Sequence, residues 1–185
     1  MNSREKKTYG YRERDEAKRQ AFLKAIAAYE PSKIVYVDEA GVDDTQDYPY
    51  AYCHRSKRFH SLKLGHRSER ISMVAGWCER EVMAPLTFEG YCNTNLIEAW
   101  VEQILVPELR PGQVVVMDNA SFHKSQRIEQ LIEQAECELL FLAPYSPDLN
   151  KIEKFWARLK HHLGKTLKTF DSLWDAVDDA FRALS

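Results

Sequence analysis

Two kinds of hydrophobic pattern alternate along the chain. Continuous apolar runs, typical of strands buried on both faces, occur in the segments IVYVDEAG, RISMVAGWCER, EVMAPLTFEGY, VVVMD and CELLFLAP. Apolar residues at helical spacing predict helices over residues 13–29, 93–109, 125–137, 151–163 and 170–184. The order of these elements predicts an α/β fold with one five-stranded mixed sheet flanked by helices, in which three antiparallel strands precede two parallel strands.

The length and the helix-breaking residue Pro31 predict the domain organisation. A chain of 185 residues is typical of one domain that is large enough to bury a core. We expect residues 1–30 to form a linker and an N-terminal helix, residues 31–169 the α/β domain, and residues 170–185 a helix packed on that domain. Residues 41–69 are polar, aromatic and basic, and they predict a hairpin or another excursion from the sheet.

Two of the predicted strands end in a carboxylate. The run IVYV leads into Asp38, and the run VVVM leads into Asp118. Aspartate also forms turns, so one such strand would leave a turn and a binding site equally open. The right-handed crossover rule places these two strands side by side and parallel, and ligands of α/β sheets collect beyond the carboxyl ends of strands. Two carboxylates that meet there repel each other unless a cation lies between them, so the pair favours a metal site.

Glu153, in the segment PYSPDLNKIEKFW, is the candidate for a third carboxylate. The apolar stripe of the helix that follows consists of Ile152, Phe155, Trp156, Leu159 and Leu163. Glu153 falls at the edge of this stripe, over the rim of the sheet, and a centre of two metal ions usually needs a third acidic group. Asn150 and Glu153 also have the spacing of a capping box, so a metal ligand and a helix cap stay equally open. The other nearby acids are more typical of an exposed polar loop; these are Glu39, Asp43, Asp44 and Asp47.

Charge is segregated along the chain although the formal net charge is only −2. Residues 54–70 and residues 151–168 each carry six Lys or Arg against one Glu. Such runs are compatible with a basic groove for phosphates and also with solvated faces. No apolar run is long enough to cross a bilayer, and the opening residues lack a signal-peptide core. The four cysteines show no CxxC spacing, so we expect a cytoplasmic protein without structural zinc or a disulfide framework.

Three blocks of the sequence resemble the catalytic blocks of DDE transposases of the mariner superfamily, and most closely those of its bacterial insertion-sequence branch. The blocks are IVYVDEAG, VVVMDNASFHK and PYSPDLNKIEKFWARLK. As in that branch, 34 residues intervene between Asp118 and Glu153. The resemblance extends from about Lys7 to Leu163 and includes YPYAYC, LKLGHR and FEGYCN. Three blocks in this order and at this spacing are a strong signal, whereas one block alone would be weak.

The resemblance implies a ribonuclease H-like fold, with a DDE catalytic domain over residues 31–169. It also implies metal-dependent cleavage and strand transfer on double-stranded DNA, in which Asp38, Asp118 and Glu153 are catalytic and bind two ions of Mg²⁺ or Mn²⁺. Asn119 would orient Asp118 or a water, and His123 would either contact DNA or hydrogen-bond its own loop. Basic residues near the site are candidates for phosphate contacts; these are Lys124, Lys151, Lys154, Arg158 and Lys160.

Complete members of this family carry an upstream helix-turn-helix region that recognises the element's terminal repeats, and no such pattern fits into the first 30 residues. We therefore expect a second-frame or N-terminally truncated product that depends on a recognition module in cis or in trans. Pairing of two element ends implies a homodimer on bacterial nucleoid DNA, without membrane association. Two alternatives stay open. One is a non-catalytic remnant or regulator that binds DNA or transposase partners, and the other is a ribonuclease H-like nuclease unrelated to transposition.

Overall fold

Five strands form one mixed sheet in the order β3-β2-β1-β4-β5, which confirms the predicted architecture. The structure is a computed structural model that describes residues 14–44 and 70–184. Its strands are β1 (Ile34–Asp43), β2 (Arg70–Cys78), β3 (Glu81–Glu89), β4 (Val114–Met117) and β5 (Glu138–Phe141). The pairs β1–β2 and β2–β3 are antiparallel, whereas β4 runs parallel to both β1 and β5.

Several predictions fall wholly or mainly on residues outside the described ranges. These are the linker before residue 14, most of the excursion over residues 41–69 and most of the basic run over residues 54–70. The described start of that excursion, Gly41 to Asp43, continues β1.

Helices cover both faces of the sheet. They are α1 (Glu16–Ile26), α2 (Thr94–Trp100), α3 (Val106–Glu108), α4 (Gln126–Gln134), α5 (Glu153–Thr166) and α6 (Leu173–Leu184). The side chains of α1, α5 and α6 form one core with Ile34 and Tyr36 of β1. Those of α2 and α4 form a second core with Val35 and Val37. Because successive residues of a strand point to opposite faces, β1 contributes to both cores in turn.

The helix predicted over residues 93–109 has a π-helical turn at Val101–Leu105, between α2 and α3. Pro107 explains this departure, because proline has no amide hydrogen and its ring would collide with the carbonyl of a regular preceding turn. Side chains next to this turn also hydrogen-bond the backbone of Ala84, where the pairing of β3 with β2 is irregular. Trp100 Nε1 donates to the carbonyl of Ala84 (2.8 Å), and the amide of Ala84 donates to Glu108 (2.9 Å). No helix within residues 14–44 and 70–184 is long and apolar enough to span a membrane.

Candidate active site

Asp38 and Asp118 lie side by side in the register of two parallel strands. Ile34 pairs with Val114 and Tyr36 with Val116, and the same offset of 80 positions separates Asp38 from Asp118. β4 ends at Met117, but β1 continues along β2 as far as Asp43. The prediction that the first strand ends at Asp38 is therefore wrong. Asp38 lies at the point where β1 loses β4 as its neighbour, and this step at the edge of the sheet leaves room for a ligand.

The strand alternation sends the two neighbouring acids of β1 to opposite faces. Tyr36 belongs to the core beneath α5, so Asp38, two positions later, is directed towards the same layer. Val37 belongs to the core beneath α2 and α4, so Glu39 is directed to that opposite layer. The adjacent residues Asp38 and Glu39 therefore have different neighbours, despite the same charge.

Asn150 fixes the start of α5 to β1. This residue is only 4% exposed, and its Nδ2 donates to the carbonyl oxygen of Val37 (3.2 Å). Because that carbonyl can only accept, the amide nitrogen must face it and Oδ1 must face away. Oδ1 has no hydrogen-bond partner among the residues that the structure describes. α5 begins at Glu153 without any side-chain cap hydrogen bond, so the capping-box alternative for Asn150 and Glu153 is wrong.

One cavity of about 570 Å³ receives all three predicted carboxylates, which are Asp38 from β1, Asp118 after β4 and Glu153 at the start of α5. Its other lining residues are Asn119, Asn150 and residues 142–147 of the loop after β5. The cavity lies at the step in the sheet, so the fold alone brings together acids that are far apart in the sequence.

The cavity is electrostatically unfavourable for Asp38. Burial raises the pKa of Asp38 to about 8, and the neighbouring charges of Glu153, Glu39 and Asp118 contribute in the same direction. Each of these causes disfavours the ionised carboxylate. Without a cation, this side of the site therefore holds a carboxyl group that is protonated far above its ordinary range.

Asp118 is in a contrasting environment, because His123 is bound to it. His123 is fully buried, with Nδ1 2.7 Å from Asp118 Oδ1 and Nε2 2.6 Å from Glu39 Oε1. Burial would lower the pKa of His123, but the hydrogen bonds to the two carboxylates raise it to about 9. Burial likewise would raise the pKa of Asp118, and the hydrogen bonds from His123 and from the amide of Ala120 lower it overall.

The other predicted residues are only partly brought together. Asn119 lines the cavity, and its Nδ2 donates to the carbonyl of Leu142, which joins the ends of β4 and β5. None of the five basic candidates lines the cavity. Lys124 is close enough for its charge to lower the pKa of Asp118, whereas Lys151 lies over the ring of Tyr36, 5.3 Å from its centroid. The remaining three, Lys154, Arg158 and Lys160, lie on the outer part of α5.

Sequence reasoning missed three residues of this site. It assigned Glu39 to a polar loop, considered Asn150 only as a cap, and did not consider Tyr145. Tyr145 lines the cavity, is 55% exposed and has a φ of +53°, which is uncommon for a residue with a side chain. The alternation of β1 could have separated Glu39 from the polar loop. No signal in the sequence marked the other two.

The donor chemistry of the cavity fits a hard divalent cation. Three carboxylates and the oxygen of Asn150, which has no partner within the described residues, offer the ligands that Mg²⁺ and Mn²⁺ prefer. No three His, Cys, Asp or Glu side chains in the described part of the chain are grouped closely enough to hold one ion together. Mg²⁺ is usually bound by one or two carboxylates plus waters and substrate phosphates, so pairs of these acids are sufficient ligands.

Comparison with known proteins gives a family and a fold. A family model described as DDE superfamily endonuclease matches residues 33–174. The Mos1 transposase paired-end complex with left transposon end superposes with a TM-score of 0.74 at 18% identity, covering 100% of this chain and 60% of that one. The catalytic domain of Mos1 mariner transposase superposes with a TM-score of 0.67 at 17% identity, covering 96% of this chain and 85% of that one.

The Mos1 mariner paired end complex with Mn gives a TM-score of 0.67 at 17% identity, and the two chains are covered by 99% and 60%. This chain therefore spans about 60% of the length of the Mos1 chains in these complexes. No curated protein matches the sequence. The shared fold is ribonuclease H-like, as the three sequence blocks imply. Because the family model covers most of the chain, this protein belongs to the DDE superfamily endonucleases.

Proposed function

We propose that this chain is the catalytic domain of an insertion-sequence transposase, which cleaves DNA strands and transfers them by means of Asp38, Asp118 and Glu153. The observation that carries the proposal is the common cavity, where these carboxylates meet from β1, β4 and α5. Family membership supports phosphodiester chemistry, because the matching model describes endonucleases.

The three carboxylates would hold two ions of Mg²⁺ or Mn²⁺. When bound, the ions supply charge for both the attacking and the leaving oxygen of a phosphodiester displacement. The raised pKa of Asp38 supports this assignment, since the carboxylates repel one another there without a cation. Asp118 presents a carboxylate whose pKa is already low, and Asn150 holds the start of α5, and with it Glu153, against β1.

Double-stranded DNA, as element end and as target, is the proposed substrate. Support comes from the related fold of the Mos1 paired-end complex with a transposon end, and the chain covers 60% of that protein. We assign recognition of the element ends to a helix-turn-helix module, supplied in cis or in trans, and we propose a homodimer that pairs two ends. Lys124, beside Asp118, is the basic candidate best placed to contact a phosphate near the cavity.

Nicking of supercoiled plasmid by the purified chain with Mn²⁺ tests the proposal. We expect nicking that EDTA abolishes and that Asp118→Asn eliminates. Asp178→Asn is the matched control, because Asp178 is an exposed acid on α6 and does not line the cavity. Retention of full activity in Asp118→Asn would contradict the proposed triad.

A folded chain that neither nicks DNA nor binds Mn²⁺ would instead favour the non-catalytic regulator. Binding of Mn²⁺ without nicking would indicate that the chemistry needs the recognition module. Fusing the chain to a DNA-binding domain and supplying a plasmid with the binding site of that domain tests this. Absence of Mn²⁺ binding thus indicates that the metal site is missing, whereas Mn²⁺ binding without nicking indicates that only DNA recognition is missing.

A further inference from the structure

Glu39 is an acid that the proposed chemistry does not use. It lies next to Asp38 in the sequence but is directed to the opposite face of the sheet, and it does not line the cavity. Its side chain is only 16% exposed. A largely buried acid that does not line the cavity needs a partner for its charge elsewhere.

The partner of the Glu39 carboxylate is His123. The imidazole is fully buried and lies between two acids, 2.6 Å from Glu39 Oε1 through Nε2 and 2.7 Å from Asp118 Oδ1 through Nδ1. Glu39 lies on β1 and Asp118 directly follows β4, so the ring joins β1 to the loop after β4. A ring with both nitrogens bound cannot rotate without breaking two charge-assisted hydrogen bonds.

The contact with His123 helps to fix the orientation of the Asp118 carboxylate. Its side chain is 45% exposed, so the protein core alone does not fix the carboxylate. Oδ1 accepts from Nδ1 of His123 and from the amide of Ala120 (2.8 Å), and within the described residues both hydrogen bonds end on this one oxygen. Two donors on one oxygen set the plane of the carboxylate and leave Oδ2 available for a ligand.

We infer that Glu39 is a positioning residue, which acts through His123 to hold the carboxylate of Asp118 in the orientation that a divalent cation needs. The inference rests on the proposed function and assigns Glu39 a role that direct metal ligation does not share. Groups that hold a ligating side chain in place typically contribute about 10–100-fold to metal affinity. The cation need not touch Glu39 for this effect to occur.

The test is the affinity of the chain for Mn²⁺ alone, measured from the electron paramagnetic resonance signal of the unbound ion. Glu39→Ala removes the acceptor of His123 Nε2, and we expect it to weaken Mn²⁺ binding about 10–100-fold. Glu39→Gln keeps an oxygen that can accept from Nε2–H, so it should recover most of the affinity. Far-UV circular dichroism and cooperative urea unfolding establish that each variant is folded.

A matched control breaks another contact of the same kind outside the cavity. His162 Nε2 lies 3.1 Å from Asp179 Oδ2, between α5 and α6. Asp179→Ala removes the carboxylate from this contact, as Glu39→Ala does at His123, and we expect it to leave Mn²⁺ affinity unchanged. Folded Glu39→Ala with wild-type affinity would overturn the inference, and so would a Glu39→Gln variant as weak as Glu39→Ala.

A double-mutant cycle separates action through His123 from direct ligation. If Glu39 acts through the ring, adding Glu39→Ala to His123→Phe should cause no further loss of Mn²⁺ affinity. An additional loss would show that Glu39 contacts the ion itself, which overturns the assignment. If His123→Phe does not fold, His123→Gln takes its place in the cycle.

Asp118→Asn in the same assay distinguishes this inference from the proposed function. Loss of Mn²⁺ binding in Asp118→Asn together with intact binding in Glu39→Ala refutes only the role of Glu39. Intact binding in Asp118→Asn refutes the proposed metal site, whatever the Glu39 variants show.

Discussion

The two sides of the cavity are built in opposite ways. On one side, Asp118 receives hydrogen bonds from His123 and from a backbone amide, and its pKa is lowered. On the other side, Asp38 is buried near Glu153, and its pKa is raised to about 8. The pKa values of two aspartates at equivalent positions are therefore shifted in opposite directions, because their neighbours differ.

This difference indicates how the site is prepared for a cation. The Asp118 side is ordered before any ion arrives, since its hydrogen bonds come from the protein itself. The Asp38 side is held together by the fold against charge repulsion, so an ion would relieve an unfavourable arrangement there. Variants that remove one acid at a time should consequently have similar effects on activity and opposite effects on stability.

The largest effect is expected for the isosteric substitutions Asp38→Asn and Asp118→Asn. Each should lower plasmid nicking by at least about 10²-fold, the scale on which active-site electrostatic groups act. In EDTA at pH 8, however, Asp38→Asn should raise the free energy of unfolding, because it removes a charge that burial disfavours. Asp118→Asn should lower it, because His123 loses its charged partner. Urea unfolding measures the free energy of unfolding of both variants. A change in the same direction for both would contradict the difference between the two sides of the cavity.

The pH dependence of the metal-free protein should show the same contrast. The folded-state pKa of Asp38 lies above its ordinary value of 3.8. The contribution of Asp38 to stability is therefore complete below pH 3.8, and it is lost as the pH rises to about 8. The lowered pKa of Asp118 has the opposite sign, so its contribution is present above 3.8 and is lost as the pH falls through the folded-state pKa.

We therefore expect the gain in stability of Asp38→Asn over the wild type to grow between pH 5 and pH 8 in EDTA. Saturating Mg²⁺ should stabilise the wild type most at the upper end of this range. Chemical denaturation at several pH values is the measurement. A gain that is constant with pH would show that Asp38 is ionised normally in the folded protein.

Asn150→Ala should have an intermediate effect. It leaves the carbonyl of Val37 without its side-chain partner and loosens the start of α5, at a cost of about 1–3 kcal/mol in the free energy of unfolding. Mn²⁺ affinity should fall as well, because Glu153 is then less firmly placed. Asn95→Ala, on an exposed position of α2, is the control. Unchanged Mn²⁺ affinity in a folded Asn150→Ala protein would remove Asn150 from the site.

The smallest effect is expected for Arg19→Ala. Arg19 of α1 binds both oxygens of Asp148, with distances of 3.0 Å and 2.8 Å, and so anchors the loop before α5. Its loss should lower the free energy of unfolding by about 0.5–1 kcal/mol without changing Mn²⁺ affinity. Arg127→Ala, which breaks the exposed pair with Glu102, serves as the comparison. A fall in metal affinity for Arg19→Ala alone would extend the site to α1.

The predictable part of this molecule is the part set by local patterns. Apolar runs predicted all five strands, because the burial that creates those patterns is the same burial that forms the sheet, and the crossover rule placed β4 beside β1. The carboxylates Asp38 and Asp118 were predicted from their positions after such runs. Their different titration was not, because it depends on neighbours that are distant in the sequence.

The contacts of His123 are the clearest case of what the sequence does not reveal. His123 and Glu39 are 84 positions apart, and an acid beside a strand is usually an exposed loop residue. Only the sheet order, with β4 next to β1, brings them together. The extension of β1 beyond Asp38 was missed for a similar reason, because β2 continues to pair with it where β4 has already ended.

The parallel register of β1 and β4 also limits how the length of the chain can change. Insertion of a single residue between Ile34 and Val37 would shift the pairing by one position or force a bulge, and a one-residue slip turns every later side chain to the other face. Glu39 would then occupy the face of Asp38 and Asp38 that of Glu39, so the cavity would lose its own carboxylate and the imidazole would face a shorter acid. The turn at Pro111 and Gly112, outside both strands, carries no such restriction. A scan of single-residue insertions should therefore eliminate nicking within these strands and preserve it at that turn, although no catalytic side chain is replaced in either case.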